Sequence, residues 1–253
     1  MHERSSSVSS ETGFSLIELM IALTVTLVVM GIATTLLARS LGARTRENQR
    51  TDAIADVQRG LNIMSREIAN AGFNMSGNGI VAGDSNSTSI RIRSNLNRYD
   101  GAAMDCLTGS TNVRCTAEEV GEDLKYFVNV AAETNYLVRY DDNEDAGSPP
   151  TTPDLRKTVL ANRLDSFRVH YYNQTVTYDT DTATLDITNF RYADNVTAAV
   201  EVTPDSARYI VLCLAVGLDA MGTPGSPGYQ PATRVMLTSD VALRNNNVDL
   251  ISY

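Results

Sequence analysis

The chain has 253 residues, 43% of them hydrophobic, no tryptophan, three cysteines and a net charge of −9. That length accommodates one medium domain with a real core and excludes two large ones. The acidic balance argues against sequence-independent nucleic-acid binding. A single histidine beyond the first dozen residues, His170, excludes histidine-rich metal centres and multi-histidine catalysis.

Residues 1–12 are polar and serine-rich, with Arg4 set against Glu3 and Glu11. After Gly13 the composition changes abruptly. From Phe14 to Ala38 the only ionisable side chain is Glu18, and a helix of that length exceeds the ~30 Å hydrocarbon core of a bilayer at ~1.5 Å per residue. The run is longer than the ~7–15-residue apolar core of a secretory signal, and the polar segment precedes it. Read without further context, Gly13 is a helix breaker and Glu18 a carboxylate near the membrane edge of an uncleaved anchor. At the helix centre a charge costs only about 2.5–3.5 kcal/mol on insertion scales, so one Glu does not forbid that reading.

Charged residues take over at Arg39, yet the helix is expected to continue to about Ala71. Ile54, Val57, Leu61, Met64 and Ile68 recur at helical spacing and form one apolar stripe. Such a stripe needs a surface to cover it, and too few heptads are present for a coiled coil with another chain. Gly31 and Gly42 are points where the helix can bend, and Gly72 is the expected C-cap. Residues 72–89, rich in Gly, Asn and Ser, read as a long surface loop. Strands are expected at Ser89–Ser94, Leu124–Val130, Asn135–Tyr140, Phe167–Tyr172, Val196–Val202, Tyr209–Leu218 and Arg234–Leu243. Tyr209–Leu218 is apolar on both faces, which marks a central strand. Residues 222–231 hold three Gly and three Pro and form a loop.

The order Gly13-Phe14-Ser15-Leu16-Ile17-Glu18-Leu19-Met20 resembles the class III signal of type IV pilins and type II secretion pseudopilins. The resemblance implies cleavage after Gly13 by a prepilin peptidase on the cytoplasmic side, N-methylation of Phe14, and an assembly contact made by Glu18. Ser65-Arg66-Glu67-Ile68-Ala69-Asn70-Ala71-Gly72-Phe73, Leu164–Tyr172 and Val241-Ala242-Leu243-Arg244-Asn245 are similar to the helix exit, central strand and closing strand of PilW-like minor pilins. It implies an α+β, pilin-like fold, a long N-terminal helix packed on an antiparallel sheet. Residues 1–13 would be a cleaved leader, 14–38 a transmembrane and assembly helix, and 39–253 a periplasmic domain, helical over 39–71 and β-rich over 72–253. The implied role is a minor pilin that primes or supports type IV pilus assembly. Its partners would be the major pilin, other minor pilins, the peptidase and the inner-membrane assembly platform, and the final location the pilus at the cell surface. A type II secretion pseudopilin is the alternative, and a membrane-anchored extracytoplasmic enzyme or binding domain a second one. Arginines 39, 44, 46 and 50 follow the span and only Arg4 precedes it, so the positive-inside rule alone would put the domain in the cytoplasm. The family places it outside.

In an exported domain, Cys106 and Cys115 read as a disulfide closing a short loop, worth about 2–3 kcal/mol in the chain-entropy picture. In a cytoplasmic domain they would be free thiols. Cys213, in the most apolar strand, reads as an inert buried thiol. Asp141, Asn143 and Asp145 match the start of a calcium loop, but Ala146 stands where the turn glycine is wanted and Thr152 where the bidentate Glu belongs. A solvated acidic loop is the competing account. No zinc site is expected, for want of ligands, and no cofactor. The chain has no G-x-S-x-G, P-loop or H-E-x-x-H, and His170 reads as a structural, half-exposed strand residue, so no enzymatic activity is expected.

Overall fold

The computed structural model describes residue 13 and residues 15–75, 77–96, 119–130, 135–144, 155–194, 197–225 and 229–245. The fold is α+β. One helix, α1 (Leu16–Ala69), carries both the apolar run and the amphipathic stripe without interruption at Gly31 or Gly42. Its 54 residues amount to about 81 Å at 1.5 Å per residue. Asn70, and not Gly72, is the capping residue: its N–H reaches the carbonyls of Glu67 and Ile68.

Among the described residues nine strands follow: β1 (Ser89–Arg93), β2 (Asp123–Val130), β3 (Asn135–Asp141), β4 (Lys157–Ala161), β5 (Leu164–Tyr172), β6 (Val176–Asp181), β7 (Asp186–Tyr192), β8 (Tyr209–Leu218) and β9 (Thr233–Ala242). All pairings among them are antiparallel. They form a meander β1-β2-β3-β4, a sheet with the order β5-β8-β9, and the hairpin β6-β7. The central position expected for Tyr209–Leu218 is therefore what is found. Val196–Val202 does not form a strand: of its described residues, Ala198 makes an isolated bridge to Arg191, and Val202 N–H donates to the Tyr171 carbonyl.

The helix stripe covers both larger sheets. Val57, Leu61, Met64 and Ile68 are fully buried together with Ile90, Tyr126, Leu137, Phe167, Ile210, Leu212 and Leu214. Ile54 is only half-buried, because the face turns to Ala53 and Gly60 instead. A Cβ at Gly60 would lie 3.2 Å from Leu137 Cδ2 and 3.5 Å from Leu160 Cβ, so the missing side chain is what lets α1 approach β3 and β4 so closely. The other face of the β5-β8-β9 sheet packs Tyr172, Val211 and Cys213 against Val176 and Ile187 of the hairpin. That second cover explains why β8 is apolar on both sides.

The segment between α1 and β1 is packed, in contrast to the surface loop expected there. Ile80 is buried and bridges to Ile92, and Asn78 is buried with both polar atoms of its side chain engaged. Its Nδ2 donates to the carbonyls of Pro204 (2.8 Å) and Ala207 (2.9 Å), while its Oδ1 accepts from Ile80 N–H (3.0 Å).

Candidate functional site: the N-terminal helix

Residues 15–41 are exposed around the whole circumference of α1, and no described part of this chain covers Leu16, Ile17, Leu19, Met20 or the apolar residues after them. The stretch offers little else that needs water. Hydroxyls of Thr24, Thr26, Thr34 and Thr35 donate to carbonyls three or four residues back, at 2.7–3.0 Å, which satisfies them inside the helix. Among the described residues this is the one helix long and apolar enough to cross a membrane. Glu18 sits exposed in the first turn, where the helix dipole favours a carboxylate, and Ser15 supplies the carbonyl that accepts from the N–H groups of Glu18 (3.0 Å) and Leu19 (3.1 Å). Gly13 is exposed with open space where a Cβ would stand. Phe14 lies outside the described residues.

The exposed half is joined rigidly to the domain by Arg46, which is 8% exposed. Its guanidinium donates to the carbonyls of Asp219 (2.6 Å) and Pro231 (2.5 Å), which lie on the two sides of the β8–β9 connection. One of the four arginines after the span is thus consumed by folding.

Residues 8–34 match the family model for the prokaryotic N-terminal methylation motif. The chain carries a prepilin-type signal. This signal falls on Gly13, Phe14 and Glu18 and on the exposed apolar half of α1, and it is the kind of signal that type IV pilin-like proteins, pseudopilins included, carry. It implies processing by a prepilin peptidase and anchoring in a bacterial membrane. No curated protein and no solved structure matches the chain.

The remaining sequence candidates separate clearly. Cys106, Cys115 and Asp145 lie outside the described residues. Asp141 is buried, and its carboxylate is occupied: Oδ2 accepts from Gly121 N–H (2.7 Å) and Oδ1 from Asn143 N–H (3.2 Å), with Arg139 Nη1 at 3.8 Å from Oδ2. Asn143 turns its Nδ2 to the Glu119 carbonyl (2.8 Å). Both side chains thus serve the turn after β3. Cys213 is an unpaired, buried thiol, and burial, reinforced by the carboxylates of Asp186 and Asp240, pushes it up to about 12.

Two polar clusters were not visible in the sequence. Arg91 forms a two-pronged ion pair with Asp123 (2.7 and 2.9 Å), pairs with Asp84 (2.8 Å) and Asp142, and shares Asp123 with Arg93 (2.7 Å). Hydrogen bonds from Arg91 and Lys125 hold the Asp84 carboxyl below its ordinary value. The second cluster corrects the expectation for His170, which is 7% exposed and not half-exposed. Its Nδ1 lies 2.6 Å from Glu201 and its Nε2 2.7 Å from Asp186. Burial works against charge on this ring, and the two carboxylates outweigh it, so its pKa is raised. Asp186 opens β7 and Glu201 follows the hairpin, more than a dozen residues away in either case. Only the alternation that puts His170 and Tyr172 on one face of β5 could have hinted at the cluster.

Proposed function

We propose that this chain is a minor pilin, a structural subunit that helps start or support a type IV pilus and carries out no catalysis. The observation that supports this reading is the joining of Gly13 and Glu18 to an apolar helix that no described residue outside it covers, continuous with a helix that is one wall of a folded domain. Exposed apolar surface of that extent needs lipid before assembly and neighbouring helices after it. In this reading the domain faces the periplasm and then the cell surface, and the partners are the major pilin, other minor pilins and the inner-membrane assembly platform.

Glu18 supplies the contact that sets register. Between packed helices, an unpaired carboxylate or ammonium costs several kcal/mol, and pairing Glu18 with the free amino group of a neighbour's Phe14 offsets much of that. The Glu18→Ala protein is expected to insert and to be processed normally yet to be absent from sheared filaments. Its incorporation at the wild-type level would rule the contact out. Co-purification of the wild-type chain with secretion components and not pilus components would favour the pseudopilin reading.

A further inference from the structure

We propose that Cys213 Sγ, His170 Nε2 and a carboxylate oxygen of Asp186 form a binding site for a divalent cation of the zinc class, which staples the β6-β7 hairpin to the outer face of β5 and β8. The three donor atoms already lie within 4.8 Å of one another. Strand register brings two of them together: His170 stands opposite Val211, and Cys213 is two residues farther along β8 on the same face. Asp186 comes down from the start of β7. A thiolate, an imidazole and a carboxylate suit zinc or a similar borderline cation and do not suit calcium or magnesium, which take oxygen alone. The expectation that ligands for zinc are lacking counted residues along the sequence, whereas these three are assembled by the sheet.

Glu201 completes the arrangement. By accepting the Nδ1 proton at 2.6 Å it fixes the ring so that Nε2 faces Asp186 and Cys213, the way a carboxylate orients a metal-ligating histidine. An independent observation points to the same place. Tyr172 follows His170 by two residues on the same face of β5 and packs in one cluster with Cys213, and its hydroxyl is buried with no hydrogen-bond partner. Buried hydroxyls are nearly always partnered, and a water bound as fourth ligand would give this one an acceptor.

His170 faces two carboxylates, Glu201 across Nδ1 and Asp186 across Nε2. A dication bound by Nε2, the Cys213 thiolate and Asp186 displaces the thiol proton and any proton on Nε2, each of which leaves to solvent, and no redox partner is needed. Two legs of about 2.0–2.1 Å at a tetrahedral angle place nitrogen and oxygen roughly 3.3 Å apart, so Asp186 must withdraw by about half an ångström from its present 2.7 Å. Its side chain is 28% exposed on the hairpin and has room to do so.

The test is cobalt(II) titration of the full chain in detergent micelles, carrying Cys106→Ser and Cys115→Ser so that Cys213 is the remaining thiol. The expected result is one equivalent bound, with a thiolate-to-cobalt charge-transfer band and the visible bands of a four-coordinate ion, displaced by zinc. Cys213→Ser should abolish the charge-transfer band, and Glu201→Gln should weaken binding by about 10–100-fold. Absence of the band, or its persistence in Cys213→Ser, overturns the proposal in favour of a metal-free Glu201–His170–Asp186 ion-pair clamp. Should Cys213→Ser fail to fold, X-ray absorption of the zinc-loaded parent decides: a shell with one sulfur supports the site, and one without sulfur overturns it.

Discussion

Gly72 and Gly79 cross where the chain leaves α1 and enters the sheet, and neither tolerates a side chain. Gly72 N–H donates to the Arg93 carbonyl at 2.9 Å and Arg93 N–H to the Gly79 carbonyl at 2.7 Å, so the two glycines clasp the end of β1. Both have positive φ, +75° and +74°, and a Cβ on Gly79 would stand 2.0 Å from Gly72 N and 2.4 Å from Arg93 O. Those obstacles are backbone atoms that cannot turn aside as a side chain would. Gly79→Ala is therefore expected to destabilise the domain by roughly 3 kcal/mol or more, well beyond the ~1 kcal/mol of a simple left-handed penalty. Thermal unfolding of the detergent-solubilised chain by near-ultraviolet circular dichroism measures this, and a melting temperature equal to that of the wild type would show that the crossing is not as tight as described. The sequence showed a Gly- and Asn-rich stretch here and nothing of the crossing. Glycine carries no pattern of its own, and what excludes a Cβ is another segment of chain.

At the scale of elements, legibility followed burial contrast. The stripe on α1 and strands β1, β2, β3, β5, β8 and β9 each present apolar residues at a period that one face of the fold uses, and each was found within a few residues of its expected place. Strand β4 was missed because it is an edge: Val159 is 52% exposed, and burial rises only at Ala161. The β6-β7 hairpin was missed because Thr and Asp dominate it and only Val176 and Ile187 are fully turned inward. The Val196–Val202 segment misled in the opposite sense: Val200 and Val202 have the composition of a strand, but single hydrogen bonds, not a ladder, hold it against β7 and β5. Of the site, Gly13, Phe14 and Glu18 were legible because their meaning lies in local order. The His170 cluster was not, since its partners are gathered from three segments. The stripe itself yields a direct prediction. Leu61 is 1% exposed at the centre of the core, so Leu61→Asp buries an unpaired carboxylate and leaves a cavity, together worth about 4–5 kcal/mol or more. Loss of cooperative unfolding is the expected outcome, and retention of a wild-type transition would mean that α1 does not pack through this face.

For the whole molecule, one event decides compartment, anchoring and redox state together. A cut between Gly13 and Phe14 removes Glu3, Arg4 and Glu11, and Gly13 itself is exposed with open space where a Cβ would stand. A protease must draw an extended backbone into its site, and a glycine permits the closest approach. In the proposed pilin reading the peptidase acts from the cytoplasmic side, and a processed chain would then have its domain on the opposite side, where disulfides form and persist. The arginine count argues for the reverse orientation, but Arg46 is locked onto Asp219 and Pro231 once the domain folds. N-terminal sequencing of the membrane-derived protein is therefore expected to begin at residue 14 with a methylated phenylalanine. Mass spectrometry of the same sample, alkylated without reduction and then digested, is expected to give Cys106 linked to Cys115, and Cys213 unmodified for as long as the chain stays folded, because its sulfur is buried. The two readouts must agree. A cut chain with Cys106 and Cys115 both alkylated would refute the bond while keeping the signal. An uncut chain beginning at Met1 with all three thiols free would mean an anchor that holds its domain in the cytoplasm, and the assembly role of Glu18 would go with it.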